Sequence, residues 1–224
     1  MRVVIAGAGS VGRSIANELL AGEHEVTLID KSPAAMRVAS VADAEWLLAD
    51  ACELPSLSEA RVDECDVVVA ATGDDKVNLV VSLLAKTEFG VPRTVARVNN
   101  PRNEWMFDEA WGVDVAVSTP RIMTAMVEEA VAVGDLVKIF TFHQSRADIL
   151  ELTLPSDSPM VGVLVGDIVW PRDTVLAALV RDTRPIAPTP EDTLEAGDEL
   201  LIVTGADADL DALHELLVRP RAAT

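Results

Sequence analysis

The chain has 224 residues, half of them apolar, and a formal net charge of −19 at pH 7. That length holds two compact domains, and the acidity, without any basic stripe, excludes a nucleic-acid backbone as partner. No apolar run approaches the roughly 18 residues of a membrane-spanning helix, and Met1 leads almost directly into strand-like "VVIA", so a cytoplasmic protein without direct lipid insertion is expected.

"RVVIAGAG" is continuous in its apolar residues, which predicts a parallel strand buried on both faces. Gly7, Gly9 and Gly12 then give G-x-G-x-x-G, a helix is expected over 14–20, and "HEVTLID" supplies a second strand ending at Asp30. Strand, glycine turn, helix, strand and acidic residue make up the full dinucleotide-binding order. Gly7 permits the tight turn and Gly9 lets the main chain approach a pyrophosphate. Gly12 lets helix and strand pack closely, while the helix start faces the phosphates. Asp30 is spaced to accept both hydroxyls of an adenosine ribose. A carboxylate there disfavours the 2′-phosphate of NADP, so NAD or a plain adenine nucleotide is the expected ligand.

"AEWLLAD" predicts a third strand ending near Asp50, with Ala51 beside it. "CDVVVAATGDD" predicts a fourth, followed by a polar turn over 72–75 and a helix to about Lys86. "RTVARVNN" is a fifth strand ending near Asn99, and "VDVAVST", 113–119, a sixth. This alternation specifies an α/β fold, a Rossmann-like parallel sheet with helices on both faces. Ligands bind at the carboxyl ends of such strands, where Thr72 and Gly73 lie with main-chain groups to frame a nucleotide. Asp74, Asp75 and Lys76 read equally as a solvated turn or as contacts. Arg97 sits in an otherwise apolar strand, and its guanidinium needs an anion there, either a phosphate or an internal carboxylate.

Catalysis finds little support. The chain has no Tyr, and His24, His143 and His214 are scattered with no polar constellation around them. They form no metal cluster, and Cys52 and Cys65, without CxxC spacing, read as a reduced pair. A small NAD-dependent oxidoreductase is the alternative to a binding protein, and it requires a proton-transfer residue beside the nicotinamide. A purely structural adaptor is a third reading, opposed by the intact glycines and Asp30.

"STPRIMTAMVEEAVAVG", 118–134, predicts a helix with Pro120 in its first turn and Gly134 closing it. Ile122, Met123, Met126, Val127 and Ala130 form its apolar stripe, which packs on its own sheet or on a neighbouring subunit. Beyond it, "VKIFTF", "DILELTL", "TVLAALVRD" and "DELLIVTG" are strand candidates, and 208–217 a closing amphipathic helix. A small α+β module follows. Gly197 and Asp198 mark a tight turn, with structural carboxylates, and Trp170 and Pro171 fix a loop or pack on the core. The expected organisation is therefore a nucleotide-binding domain over 1–118, a linker helix over 119–134 and the α+β domain over 135–220.

The motifs "VVIAGAGSVGRSIANELL", "VTLID", "VVVAATGDDKVNLVVSLLAK" and "TVARVNNPRNEWMF", followed by "ILELTLPSDSPMVGVLV" and "EDTLEAGDELLIVTG", resemble the regulator-of-potassium-conductance family. They are most similar to the cytosolic TrkA-type subunits of bacterial and archaeal potassium uptake systems. The resemblance covers nearly the whole chain. It implies a non-enzymatic protein whose first domain binds NAD(H) or ATP/ADP and whose second helps assemble dimers into a homo-oligomeric ring. That ring would lie beneath a membrane-embedded TrkH/KtrB-type potassium channel subunit at the inner face of the plasma membrane. Carried onto this sequence, the nucleotide residues are Gly7, Ala8, Gly9, Ser10, Val11, Gly12, Asp30, Thr72, Gly73 and Arg97, with Arg13 a phosphate contact and Asp50 and Ala51 near the adenine. Where the family often has Gly before that Asp, this chain has Ala49.

Overall fold

The computed structural model describes residues 1–131, 134–142 and 145–218. His143, the side chain of Ala130, residues 132–133 of the expected linker helix and 219–220 of the expected second domain lie outside the described residues. The chain divides into two units, Met1–Arg121 and Ile122–Thr224.

The first unit runs β1 (Arg2–Ala6), α1 (Ser10–Ala21), β2 (Glu25–Asp30), β3 (Glu45–Leu48), α2 (Leu54–Glu59), β4 (Val67–Ala70), α3 (Asp75–Thr87), β5 (Arg93–Val98) and β6 (Val115–Ser118). The six strands form one sheet in the order β3-β2-β1-β4-β5-β6, and every neighbouring pair is parallel. The apolar run of β1 is explained by burial on two sides. Val3 and Ile5 pack with Ala16, Val26 and Leu28, while Val4 and Ala6 join Leu57, Val62, Leu79 and Val81 on the other face. The strand order reverses between β1 and β4, so the chain leaves these neighbours in opposite directions and opens a crevice at their carboxyl ends.

The first helix begins at Ser10, earlier than the expected residue 14. Glycine is a poor helix former, which is why the stretch around Gly12 reads as loop. Gly12 is nevertheless buried within the first turn, because a Cβ at this position would lie only 1.9 Å from the Gly7 carbonyl oxygen. Close packing overrides propensity there. At the start of α3, two of the three residues read as solvated turn or contact, Asp74 and Asp75, divide in function. Asp74 caps the helix by accepting the Lys76 N–H, and Asp75 is buried.

A further helix, α4 (Thr119–Val131), starts where β6 ends. The second unit then adds β7 (Val137–Thr141), β8 (Asp148–Thr153), β9 (Thr174–Arg181), β10 (Arg184–Ile186), β11 (Glu199–Thr204) and α5 (Leu210–Leu217). Its five strands are antiparallel, in the order β10-β9-β11-β8-β7. Leu213 and Leu217 of α5 close over Leu150, Leu152, Leu179, Leu200 and Ile202, with Trp170 against the same core. Asp198, next to the left-handed Gly197, is 1% exposed and ion-paired with Arg181 at 2.7 Å. Its role is structural.

The strands expected from the sequence include no counterpart of β10, which contains Pro185. Its place at the sheet edge leaves proline's missing N–H without consequence. Asp182 and Thr183 both have positive φ, 49° and 65°, the backbone of a two-residue hairpin turn.

Candidate functional site

The site begins at the glycine turn. Gly7 has φ +106°, and a Cβ there would meet the Ala71 carbonyl carbon and the Thr72 backbone at 2.9 Å, so the turn lies directly against the end of β4. Gly9 is different, since a Cβ on it would have nothing within 4 Å. It is also the N-cap of α1 and provides no side chain to the helix's first N–H groups, and no acidic residue stands in the first turn. The start of α1 therefore turns uncapped donors and the positive end of its dipole toward open space, the arrangement that takes an anion.

Asp30, at the end of β2, is held by two main-chain donors. Its Oδ2 accepts the Ala8 N–H and its Oδ1 accepts the Ser32 N–H, each at 2.8 Å. The carboxylate is thus fixed beside the glycine turn with lone pairs left for further donors. Across the crevice, Asn78 of α3 clamps the end of β4. Its Oδ1 accepts the Thr72 N–H at 2.9 Å, and its Nδ2 donates to the carbonyls of Thr72 (3.2 Å) and Arg97 (2.8 Å).

Arg97, on β5, donates from Nε to Thr119 Oγ1 at 3.2 Å. Among the described residues no carboxylate lies within ion-pairing distance of it. Of the two anions that the sequence allows for this guanidinium, the internal carboxylate is not found there.

These groups surround one cavity of about 490 Å³, inside the range of about 300–1,000 Å³ usual for small-molecule sites. Gly7, Gly9, Ser10, Val11, Asp30, Asp50, Ala51, Thr72, Gly73 and Arg97 all line it. Three residues named from the sequence do not. The Ala8 N–H is spent on Asp30, Gly12 packs beneath the turn, and Arg13 folds back to donate from Nη1 to the Ala8 carbonyl at 2.5 Å. Arg13 therefore braces the glycine turn. Lys31 and Ser32 line the cavity without having been singled out from the sequence, while Ala49, the departure from the family's Gly, and Asp74, read as turn or contact, line it as well. Lys31 and Ser32 directly follow the strand that ends at Asp30, and that position was the available signal. Asn78, by contrast, reads only as a polar residue within an apolar helix.

The chemistry suits binding. Asp30, Asp50 and Asp74, the lining carboxylates, each accept at least one main-chain N–H. The Cys52 N–H lowers the pKa of Asp50 most, against the opposing effect of burial and with help from Lys31. Both cysteines are free. Burial pushes the Cys65 thiol up to about 11 and raises that of Cys52, so neither is an activated nucleophile. Among the described residues no group of three His, Cys, Asp or Glu side chains is placed to hold a metal, and no helix is long and apolar enough to cross a membrane.

The TrkA-N domain family matches residues 3–119 and the TrkA-C domain family matches residues 149–218. The chain is 52% identical over 218 residues to the Trk system potassium uptake protein TrkA of Mycobacterium tuberculosis strain H37Rv, covering 97% of this chain and 99% of that protein. Among solved structures it is similar to the GsuK channel bound to NAD, with a TM-score of 0.68 at 18% identity over all of this chain and 40% of that one. It is also similar to GsuK bound to ADP, with a TM-score of 0.50 at 25% identity over 57% of this chain and 33% of that one. The matches to both domain families, in order, and to a full-length relative show that this chain belongs to the TrkA family of Trk-system potassium uptake proteins.

Proposed function

We propose that this chain is a cytoplasmic, nucleotide-sensing regulatory subunit of a potassium uptake system, and that the cavity between β1 and β4 takes NAD(H), with ATP or ADP competing for the same place. One observation carries the reading. The uncapped start of α1 faces a cavity that Arg97 also lines, with no carboxylate among the described residues in ion-pairing distance of its guanidinium, and Asp30 is fixed at the end of β2 by the Ala8 N–H. Two cationic features toward phosphate and one fixed acceptor toward hydroxyls match an adenosine diphosphate moiety, which NAD, ATP and ADP share. The NAD and ADP in the two GsuK structures agree with this ligand class.

The partner in this reading is a membrane-embedded TrkH/KtrB-type channel subunit, and the working form is a homo-oligomer of dimers assembled into a ring. A nucleotide that binds two arrangements of the ring unequally shifts their populations, and the channel's state then feeds back on nucleotide affinity. A tenfold difference in affinity is worth about 1.4 kcal/mol per site, so several identical sites acting together move a gate substantially. Residues 119–134 serve as the linker between a nucleotide domain over 1–118 and an assembly domain over 135–220.

Calorimetric titration with NADH, NAD, ATP and ADP tests the reading, with Asp30→Ala as control. Binding of at least one nucleotide, weakened at least tenfold in the control and without turnover, is the expected result. Simultaneous, independent binding of NADH and ATP would overturn the shared site, and binding of none of the four would overturn the assignment.

A further inference from the structure

At the β2 end of the cavity stand two carboxylates and one ammonium. Asp30 is already committed to the Ala8 and Ser32 N–H groups. Lys31 follows it, with a mostly exposed side chain whose Nζ lies 3.4 Å from Asp50 Oδ2. Asp50 does not follow wherever Lys31 swings. The Cys52 N–H holds its Oδ1 at 3.0 Å, and the adjoining Ala49 N–H is bonded to the Asp30 carbonyl at 3.1 Å. Among the described lining residues, the only other cation is Arg97, out on β5.

A ribose with a free 2′-hydroxyl needs an acceptor here, and Asp30 is one. A ribose with a 2′-phosphate brings a dianion beside Asp30 and needs a cation, and among the described lining residues Lys31 is the one next to Asp30. We infer that Asp50 is a positioning residue for ligand choice: by holding the Lys31 ammonium in an ion pair, it denies a 2′-phosphate its one cation and so restricts the site to dinucleotides with an unphosphorylated ribose. This rests on the nucleotide reading of the cavity. The neighbouring Asp30 excludes the phosphate by repulsion, and the Lys31–Asp50 pair closes the remaining route by which that repulsion is offset. Its geometry is that of an exposed pair, worth little to stability, so its removal shifts selectivity while the fold stands.

The test is titration of the full chain with NADH and NADPH, comparing the parent with Asp50→Asn, Lys31→Met and the double variant. In Asp50→Asn the affinity for NADPH relative to NADH rises about fivefold, the scale of one screened charge acting on a dianion. The gain shrinks as salt is raised. Lys31→Met moves the ratio the other way, and in the double variant the gain is absent. An unchanged ratio in Asp50→Asn overturns the inference, as does a gain that persists without Lys31, which would mark simple charge removal. If the parent binds NADH and these ratios do not move, the inference alone has failed. If the parent binds neither nucleotide, the cavity's assignment has failed with it.

Discussion

Two of the three motif glycines answer to different constraints, and substitution separates them. A methyl at Gly12 has to displace the Gly7 carbonyl, 1.9 Å from where its Cβ would be, so Gly12→Ala strains both the turn and the first turn of α1. A loss of about 2–3 kcal/mol is expected, the upper range of overpacking penalties, read from urea unfolding. Gly9→Ala meets open space at an ordinary φ of −64° and changes stability by no more than about 1 kcal/mol. In the proposed reading its methyl stands where a nucleotide's phosphates would approach, so nucleotide affinity is expected to fall in the titration while unfolding does not move. The two variants thus distinguish a residue that builds the cradle from one that leaves room in it. The motif, read as letters, treats them alike.

Among the elements, the start of α3 is tied to the loop after β5 by one buried carboxylate. Asp75 accepts the N–H groups of Asn99 and Asn100 at 2.6 and 3.0 Å and the side-chain amides of Asn99 and Asn103 at 3.0 and 2.8 Å. Burial pushes its pKa up, and these four donors outweigh it and bring the group below the ordinary carboxylate value. A depressed carboxylate contributes stability that is present above the unfolded pKa of about 3.9 and is lost as pH falls through the lower folded value. Asp75→Ala is therefore expected to cost about 2–3 kcal/mol near pH 7, since four donors lose their acceptor. The gap between parent and variant in urea midpoints should hold down to about pH 5 and narrow in more acid solution. A gap that stays constant to pH 3 would mean that packing, not the charge, is what the side chain provides. Because Asn99 also donates to the Thr72 carbonyl, this knot borders the cavity wall. The alternation of strands and helices was legible because burial on both faces writes itself into composition. The Asp75 knot was not legible, because its partners lie more than twenty residues away and nothing local distinguishes Asp75 from a solvated acid.

At the scale of the whole chain, the described residues of the α4 stripe stand in solvent. Ile122, Met123, Met126 and Val127 are all exposed, Met123 at 65%. Of the two partners that the sequence allows, its own sheet or a second subunit, the proposal of a dimer uses the second. Met126→Glu places a charge in that face without touching either core, so the oligomer seen by light scattering is expected to fall apart while thermal unfolding of the separated chains changes little. An oligomer that survives this change would move the interface elsewhere. Each chain carries a net charge of −19, so assembly also works against self-repulsion that salt screens, and the oligomer should tighten as ionic strength rises. The two-domain order and the cavity's main residues could be read from the chain because each depends on neighbours in sequence. Arg13 turned out to brace the turn because its guanidinium finds a carbonyl five residues back, a choice made by local geometry that residue type does not reveal.

The bond from the Ala8 N–H to Asp30 makes the cleft a preorganised one. The carboxylate that would meet a ribose is also the latch joining the glycine turn to the exit of β2. Removing it therefore has two effects, the loss of a ligand acceptor and the release of the turn. Amide hydrogen exchange tells them apart without any ligand present. In the intact chain the Ala8 proton exchanges only when the latch opens, so its rate measures how often the cleft falls out of its receptive shape. Slow exchange there means that a nucleotide meets a cradle already formed, and that little of its binding energy is spent on ordering the turn.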